Sequence, residues 1–176
     1  MIKARYYPTF LATSFYEIPA SFYQKLGIKN LLLDLDNTLA PYHEAEPSEA
    51  TLRFLEELGR AGLHLYIASN NTSKRVFHYA EKCHLKALSG LLKPFSFRLK
   101  RILRKEDFKK EETLLIGDQL MTDIPAANGA GIRSILVEPL DPAKEPWVTR
   151  WNRRAEKTKR ERIIKEGKVP SWKEKA

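Results

Sequence analysis

Four short apolar runs, at residues 31–34, 63–69, 113–117 and 134–137, alternate along the chain with stretches of helical periodicity. Runs without a polar face suit strands covered on both sides, the condition of a parallel sheet, and parallel strands need crossovers that helices supply. The pattern predicts an α/β fold, a central parallel sheet between two layers of helix. Helices are expected from about residue 47, with Leu52, Leu55 and Leu58 at helical spacing and a stop at Gly59 or Gly62; from 73 to about 82; after Pro94, with Phe97, Ile102 and Leu103 in the core; and over roughly 123–128. A shorter strand is expected at 87–89. Gly129-Ala130-Gly131 comes after a helix and before a strand, so these glycines read as turn formers; a dinucleotide fingerprint would run in the opposite order.

At 176 residues the chain is one domain by length. It divides into an aromatic segment at 1–27, a core at 28–142 and a basic segment at 143–176. The first holds seven of the 18 aromatic residues, from Tyr6 to Tyr23, and these rings either cover one edge of the sheet or add contacts at a membrane surface. The chain carries 31 Lys and Arg against 22 Asp and Glu, and +7 of the net +9 falls between Arg150 and the end. Cys83 is the only cysteine, which excludes an intrachain disulfide and cysteine metal clusters and fits a reducing compartment. No apolar stretch approaches the roughly 18 residues of a membrane span, and Pro8, Glu17 and Pro19 interrupt any signal-peptide core. The expectation is a cytoplasmic protein, with peripheral attachment to the inner face of a membrane as its closest approach to lipid.

Chemistry-bearing residues gather where the predicted strands end, the place where open α/β sheets bind ligands. Asp34 and Asp36 follow the first run, and alternation along a strand would send both to one side. The bland reading is a strand end with two solvated acids. Ser69-Asn70-Asn71 follows the second run and opens a helix, forming an anion cradle. Lys93 precedes Pro94, and Asp118 with Asp123 follows the third run. Together these supply four acids, one ammonium and a hydroxyl.

This ordered set, over about residues 28–138, resembles the four motifs of the haloacid dehalogenase (HAD) superfamily. The resemblance implies a three-layer, Rossmann-like fold. By it, Asp34 is the nucleophile, Asp36 the general acid and base, and Lys93 the charge-neutralising catalytic cation; Thr38, Ser69 and Asn70 bind substrate; and Asp34, Asp36, Asp118 and Asp123 hold Mg2+. An intact Asp-x-Asp-x-Thr favours a phosphatase, because dehalogenases lack the second acid and transport ATPases carry Thr in its place. The segments 38–69 and 71–93 are too short for a cap domain, so the crevice is expected to be open to a phosphate carried on something large.

The chain is also similar to the capless subclass IIIA branch that includes phosphatidylglycerophosphate phosphatases, in which an aromatic stretch and a Gly-Ile-Lys-like step, here Gly27-Ile28-Lys29, lead into Asp-x-Asp-Asn-Thr-Leu. That resemblance implies a lipid-borne phosphorylated substrate and an anionic membrane surface as partner. Trp147, Val148 and Trp151, beside the basic segment, would suit an interfacial helix; a solvated basic extension is the alternative. Three other readings stand beside this one: a phosphatase for protein, nucleic-acid ends or sugar phosphates; a nucleic-acid partner using the basic tail, for which no reader module is visible; and a scaffold. His43, Glu44 and Glu46 sit where they would touch substrate or line a solvated loop. His78, Cys83 and His84 suggest zinc only faintly.

Overall fold

The computed structural model describes residues 2–144 and 147–175, with side chains throughout except at 147–153 and 155. In chain order the elements are β1 (Phe10–Leu11), α1 (Ala20–Lys25), β2 (Asn30–Leu33), α2 (Glu49–Arg60), β3 (His64–Ala68), α3 (Lys74–Lys82), β4 (Lys86–Leu88), α4 (Phe97–Lys105), β5 (Thr113–Gly117), α5 (Asp123–Ala130), β6 (Arg133–Leu136) and α6 (Trp147–Glu166). The six strands form one sheet in the order β1-β6-β5-β2-β3-β4, and every neighbouring pair is parallel.

Alternation along the central strands divides the core between the two faces. Leu31 and Leu33 of β2, with Leu114 and Ile116 of β5, join Leu55, Leu58, Val76 and Tyr79 on one side. Leu32 and Leu115 point the other way, to Leu99, Leu103, Ala126 and Ala127. A strand buried on both faces needs no polar residue at either parity, which is why these segments are uniformly apolar.

The chain leaves β2 for β3 and β4 on one side, then crosses back to β5 and β6 on the other. The reversal lies between β2 and β5, so the crevice above the carboxyl ends of those two strands is the topological switch point. Segments 34–48 and 69–73 hold no inserted domain, leaving this edge uncapped. Among the described residues no helix is long and apolar enough to cross a membrane.

The elements expected at 31–34, 63–69, 87–89, 113–117 and 134–137 correspond to β2 to β6, displaced by a residue or so at most ends. β1 escaped the sequence pattern because it is two residues long. It adds the N-terminal segment to the sheet edge against β6, and Phe10, Phe15, Phe22 and Tyr23 lie buried in the core. Phe97 departs from expectation: Leu99 and Leu103 set the inner face of α4, and Phe97, lying almost opposite them on the helix, is 56% exposed. Gly129 differs too. It lies within α5, not in a turn, and a Cβ there would come within 2.8 Å of Ser96, so its bareness permits the close approach of α5 to the residue preceding α4.

The basic C-terminal segment is integrated with the core rather than trailing into solvent. Ile163 and Val169 pack with Tyr6, Leu120 and Ile124. Trp172 packs edge-on against Phe22, donates from Nε1 to Glu17, and follows Ser171, which bridges to Leu11 of β1. Truncating a buried Trp leaves a large cavity, so Trp172→Ala is expected to lower unfolding free energy by about 3 kcal/mol. Urea denaturation measures this; an unchanged midpoint would make the C-terminal packing dispensable.

Candidate active site

Strand β2 ends at Leu33, before either acid of the Asp34-Leu35-Asp36 motif, so strand alternation does not set their directions. A tight turn does: Leu35 accepts from the Ala40 N–H at 3.0 Å, and Asn37, at a positive φ of 62° that Asn tolerates better than most residues, donates its N–H to Ala40 O at 2.7 Å. This turn separates the two carboxylates. Asp34 faces the crevice and is buried, whereas Asp36 turns toward α3 and pairs with the Arg75 guanidinium.

From β4 the chain brings Lys93 to the same place. Asn70, in the loop after β3, brackets its backbone: the amide donates to Lys93 O at 2.9 Å, and Lys93 N–H donates to Asn70 Oδ1 at 2.7 Å. Thus fixed, the buried ammonium lies 2.5 Å from Asp34 Oδ1, 2.7 Å from Asp123 Oδ1 and 2.9 Å from the Ala68 carbonyl that accepts from it. Asp118 and Asp123 come from the end of β5 and the first turn of α5. Gly117 makes that arrangement possible, because a Cβ there would meet the Asp123 carboxylate at 2.3 Å. Gln119 N–H donates to Asp123 Oδ2 at 3.0 Å, and Thr38 donates to Asp118 Oδ1 at 3.2 Å.

Asp34, Asp118 and Asp123 each place a carboxylate oxygen within 4.8 Å of the others, the only such group of potential metal ligands among the described residues. All three are almost wholly buried. Burial raises the Asp34 carboxyl well above the ordinary range; Lys93 pulls against this, while Asp123, Asp118 and Asp36 add to it. Burial alone would lower the Lys93 ammonium, but Asp123 and Asp34 outweigh that and raise it. At Asp34, burial and the neighbouring acids thus outweigh the single ammonium. Fully ionised, the three carboxylates would outnumber the one cation by two charges, and an all-oxygen donor set of that kind fits a hard divalent ion.

Several expected residues have other neighbours. Asp36 stands outside the three-acid group. Thr38 and Asn70 are engaged with Asp118 and with the Lys93 backbone. Ser69 is buried at the crevice, where its hydroxyl accepts from Asn71 N–H at 3.0 Å. The backbone carbonyl of Glu44 accepts from Arg75; Glu46 pairs with His78 at 3.0 Å, and His43 lies 3.9 Å from Asp141. His78, Cys83 and His84 form no ligand group, and burial pushes the Cys83 thiol up to about 11. The site's functional neighbours that sequence reading missed are Arg75, Glu156 and Arg160. A cation in the first turn of a helix opposes the helix dipole, and that mismatch was the available sign for Arg75.

Glu156 and Arg160 come from α6. Glu156 is buried and accepts from Met121 N–H at 2.6 Å, while Arg160 donates to Asp118 O at 3.2 Å and Val137 O at 2.6 Å and pairs with Glu138 at 3.0 Å. The C-terminal helix thus holds the loop that carries Asp118 against the end of β6.

A family profile described as HAD-hydrolase-like matches residues 91–139. Over 174 residues, 99% of this chain and the whole of the relative, the sequence is 28% identical to the probable phosphatase YqeG of Bacillus subtilis (strain 168). It is 26% identical over 159 residues to phosphatidylglycerophosphate phosphatase 1, chloroplastic/mitochondrial, of Arabidopsis thaliana, covering 84% of this chain and 45% of that protein. In fold it is similar to the crystal structure of 3-deoxy-D-manno-octulosonate 8-phosphate phosphatase from Moraxella catarrhalis, a complex with magnesium ion, phosphate ion and a KDO molecule. The TM-score is 0.52 at 23% identity, over 69% of this chain and 75% of that one.

Gly117→Ala would force a methyl group into the Asp123 carboxylate. The expected result is a loss of about 1–3 kcal/mol in unfolding free energy from overpacking, measured by urea denaturation; full retention of stability would mean that the contact relaxes freely.

Proposed function

We propose that the chain is a capless HAD-type phosphatase, a reading that its similarity to the family profile and to the probable phosphatase YqeG supports, and that it is a Mg2+-dependent phosphomonoester hydrolase working through an aspartyl phosphate on Asp34, with phosphatidylglycerophosphate as substrate and phosphatidylglycerol as product. The observation that carries the chemistry is the trio of buried carboxylates facing one buried ammonium at the switch point.

In this reading Asp34, Asp118 and Asp123 hold Mg2+, which when bound supplies the positive charge that lets an anionic carboxylate approach an anionic phosphoryl group. Asp34 Oδ attacks phosphorus and the bond to the ester oxygen breaks. Asp36 gives the departing alkoxide its proton, then takes one from the water that attacks the acyl phosphate, so that inorganic phosphate leaves and the Asp34 carboxylate returns. Lys93 and Ser69 bind the equatorial phosphoryl oxygens. Thr38 orients Asp118, Asn70 fixes Lys93, and Arg75 orients Asp36. Uncatalysed phosphate-monoester hydrolysis is slow enough that enzymes reach accelerations of about 10²¹, and shared positioning of this kind is how such factors are assembled.

Two features support a lipid-borne substrate. The crevice is uncapped, so a phosphate anchored in a surface can enter it, and one relative carries that activity in its name. The core at 28–142 contains all the proposed machinery except the α6 contacts, and the flanking segments at 1–27 and 143–176 serve as integral supports to it.

Phosphate release should depend on Mg2+ and be greatest on phosphatidylglycerophosphate micelles, compared with phosphopeptide, 3′-phosphorylated DNA and sugar phosphates. A dominant rate on sugar phosphates would remove the lipid assignment. Asp34→Asn should lower the rate by about 10³-fold or more without loss of fold; wild-type turnover in that variant would remove the nucleophile.

A further inference from the structure

Six large apolar side chains are exposed among the described residues, and three of them, Leu92 at 43%, Phe95 at 64% and Phe97 at 56%, fall within six consecutive positions around Lys93. Isolated exposed apolar residues need no explanation, but a contiguous group does. The rings of Phe95 and Phe97 stand 6.4 Å apart, and Phe95 N–H donates to Leu92 O at 3.0 Å. Arg98 braces the loop from the other side by donating to Gly90 O at 2.6 Å. These tips are therefore presented by an ordered turn.

The helix that follows supplies the charge. α4 carries Arg98, Lys100, Arg101, Arg104 and Lys105 and no acid. With Leu99 and Leu103 facing the core, its outward stripe is Phe97, Arg101 and Arg104, at i, i+4 and i+7. None of its five cations has a carboxylate within 4 Å in the described ion pairs, and the nearby Glu106 is occupied by Lys86 at 2.6 Å. Arg5 extends the positive surface beside Phe95 across a shallow hollow of about 520 Å³.

We infer that the 92–97 turn and the outward stripe of α4 form a docking surface for an anionic lipid bilayer, with the apolar tips entering the acyl boundary and the cations meeting the head groups. Exposed apolar tips leading a strongly basic helix match the chemistry of that interface. Leu92 has no π-face to stack on a base, which favours lipid over single-stranded nucleic acid. Leu92 and Phe95 flank Lys93 in the chain, so docking brings the Lys93 edge of the crevice next to the head groups. This surface deepens the lipid-substrate reading and rests on it for its purpose. It draws on neither Trp147, Val148 and Trp151, whose side chains are outside the described residues, nor the N-terminal aromatics, most of which are buried.

The test is co-sedimentation of the full chain with phosphatidylcholine vesicles, with and without phosphatidylglycerol, at about 0.1 M salt. It is run beside hydrolysis of soluble p-nitrophenyl phosphate and binding to random-sequence DNA. The wild type should bind the anionic vesicles and not the neutral ones. Phe95→Ser/Phe97→Ser and Arg101→Glu/Arg104→Glu should each weaken that binding about tenfold or more, with melting midpoints and soluble-substrate rates unchanged. Wild-type vesicle binding in both double variants would overturn the inference. So would retention on DNA with none on vesicles, or a dimer that these substitutions dissociate while vesicle binding is absent. Vesicle binding lost as expected in a protein inactive on every phosphate ester would sink the proposed function and leave the docking surface standing.

Discussion

The Lys93 ammonium, buried between Asp34 and Asp123, is the contact on which the rest of the site depends. A buried charge is tolerated only when paired and bonded, and breaking such a pair from one side costs about 3–5 kcal/mol. The fold invests accordingly in placing it: Asn70 fixes its backbone by two hydrogen bonds, and the Ala68 carbonyl at the end of β3 accepts from the ammonium itself. One cation stands among three carboxyl groups, too few to balance them once all are ionised. The unbalanced charge makes the arrangement suited to a divalent ion, and it has no evident use in a site that serves packing alone.

The acids meet because of topology more than local sequence. Asp34 and Asp118 follow β2 and β5, which are neighbours although 80 residues separate Thr38 from Asp118, the pair whose hydrogen bond links the two loops. Bare backbone at Gly117 admits the Asp123 carboxylate. α6 then fastens the Asp118 loop from outside through Glu156 and Arg160. The C-terminal segment, which composition alone marks as a basic tail, is part of the support for the site. The exposed apolar residues that lead into the basic helix α4 follow Lys93 closely in the chain.

Much of this was legible in the chain because uniformly apolar strands and amphipathic helices leave strong periodic traces. β2, β5, α2 and the clustering of Asp34, Lys93, Asp118 and Asp123 at strand ends followed from those traces and from spacing. What escaped the pattern depended on distant contacts. β1 is too short to show alternation, and its residues are strand only because β6 is there to pair with them. Asp36 turns to Arg75 because the Leu35–Ala40 turn redirects the chain, which no parity argument captures. Phe97 reads as a core residue in isolation and is turned outward by Leu99 and Leu103, which claim the inner face. Trp172 gives no local sign that it returns to Phe22, about 150 residues earlier in the chain.

Asp34, Asp118 and Asp123, three acids against the one ammonium of Lys93, are proposed to hold a divalent cation. Calorimetric titration of the metal-free protein with Mg2+ tests this most directly. One ion should bind per chain, with a rise in melting temperature that grows with free Mg2+, and both effects should vanish in Asp118→Asn. Absence of binding in the wild type, or undiminished binding in that variant, would contradict the account.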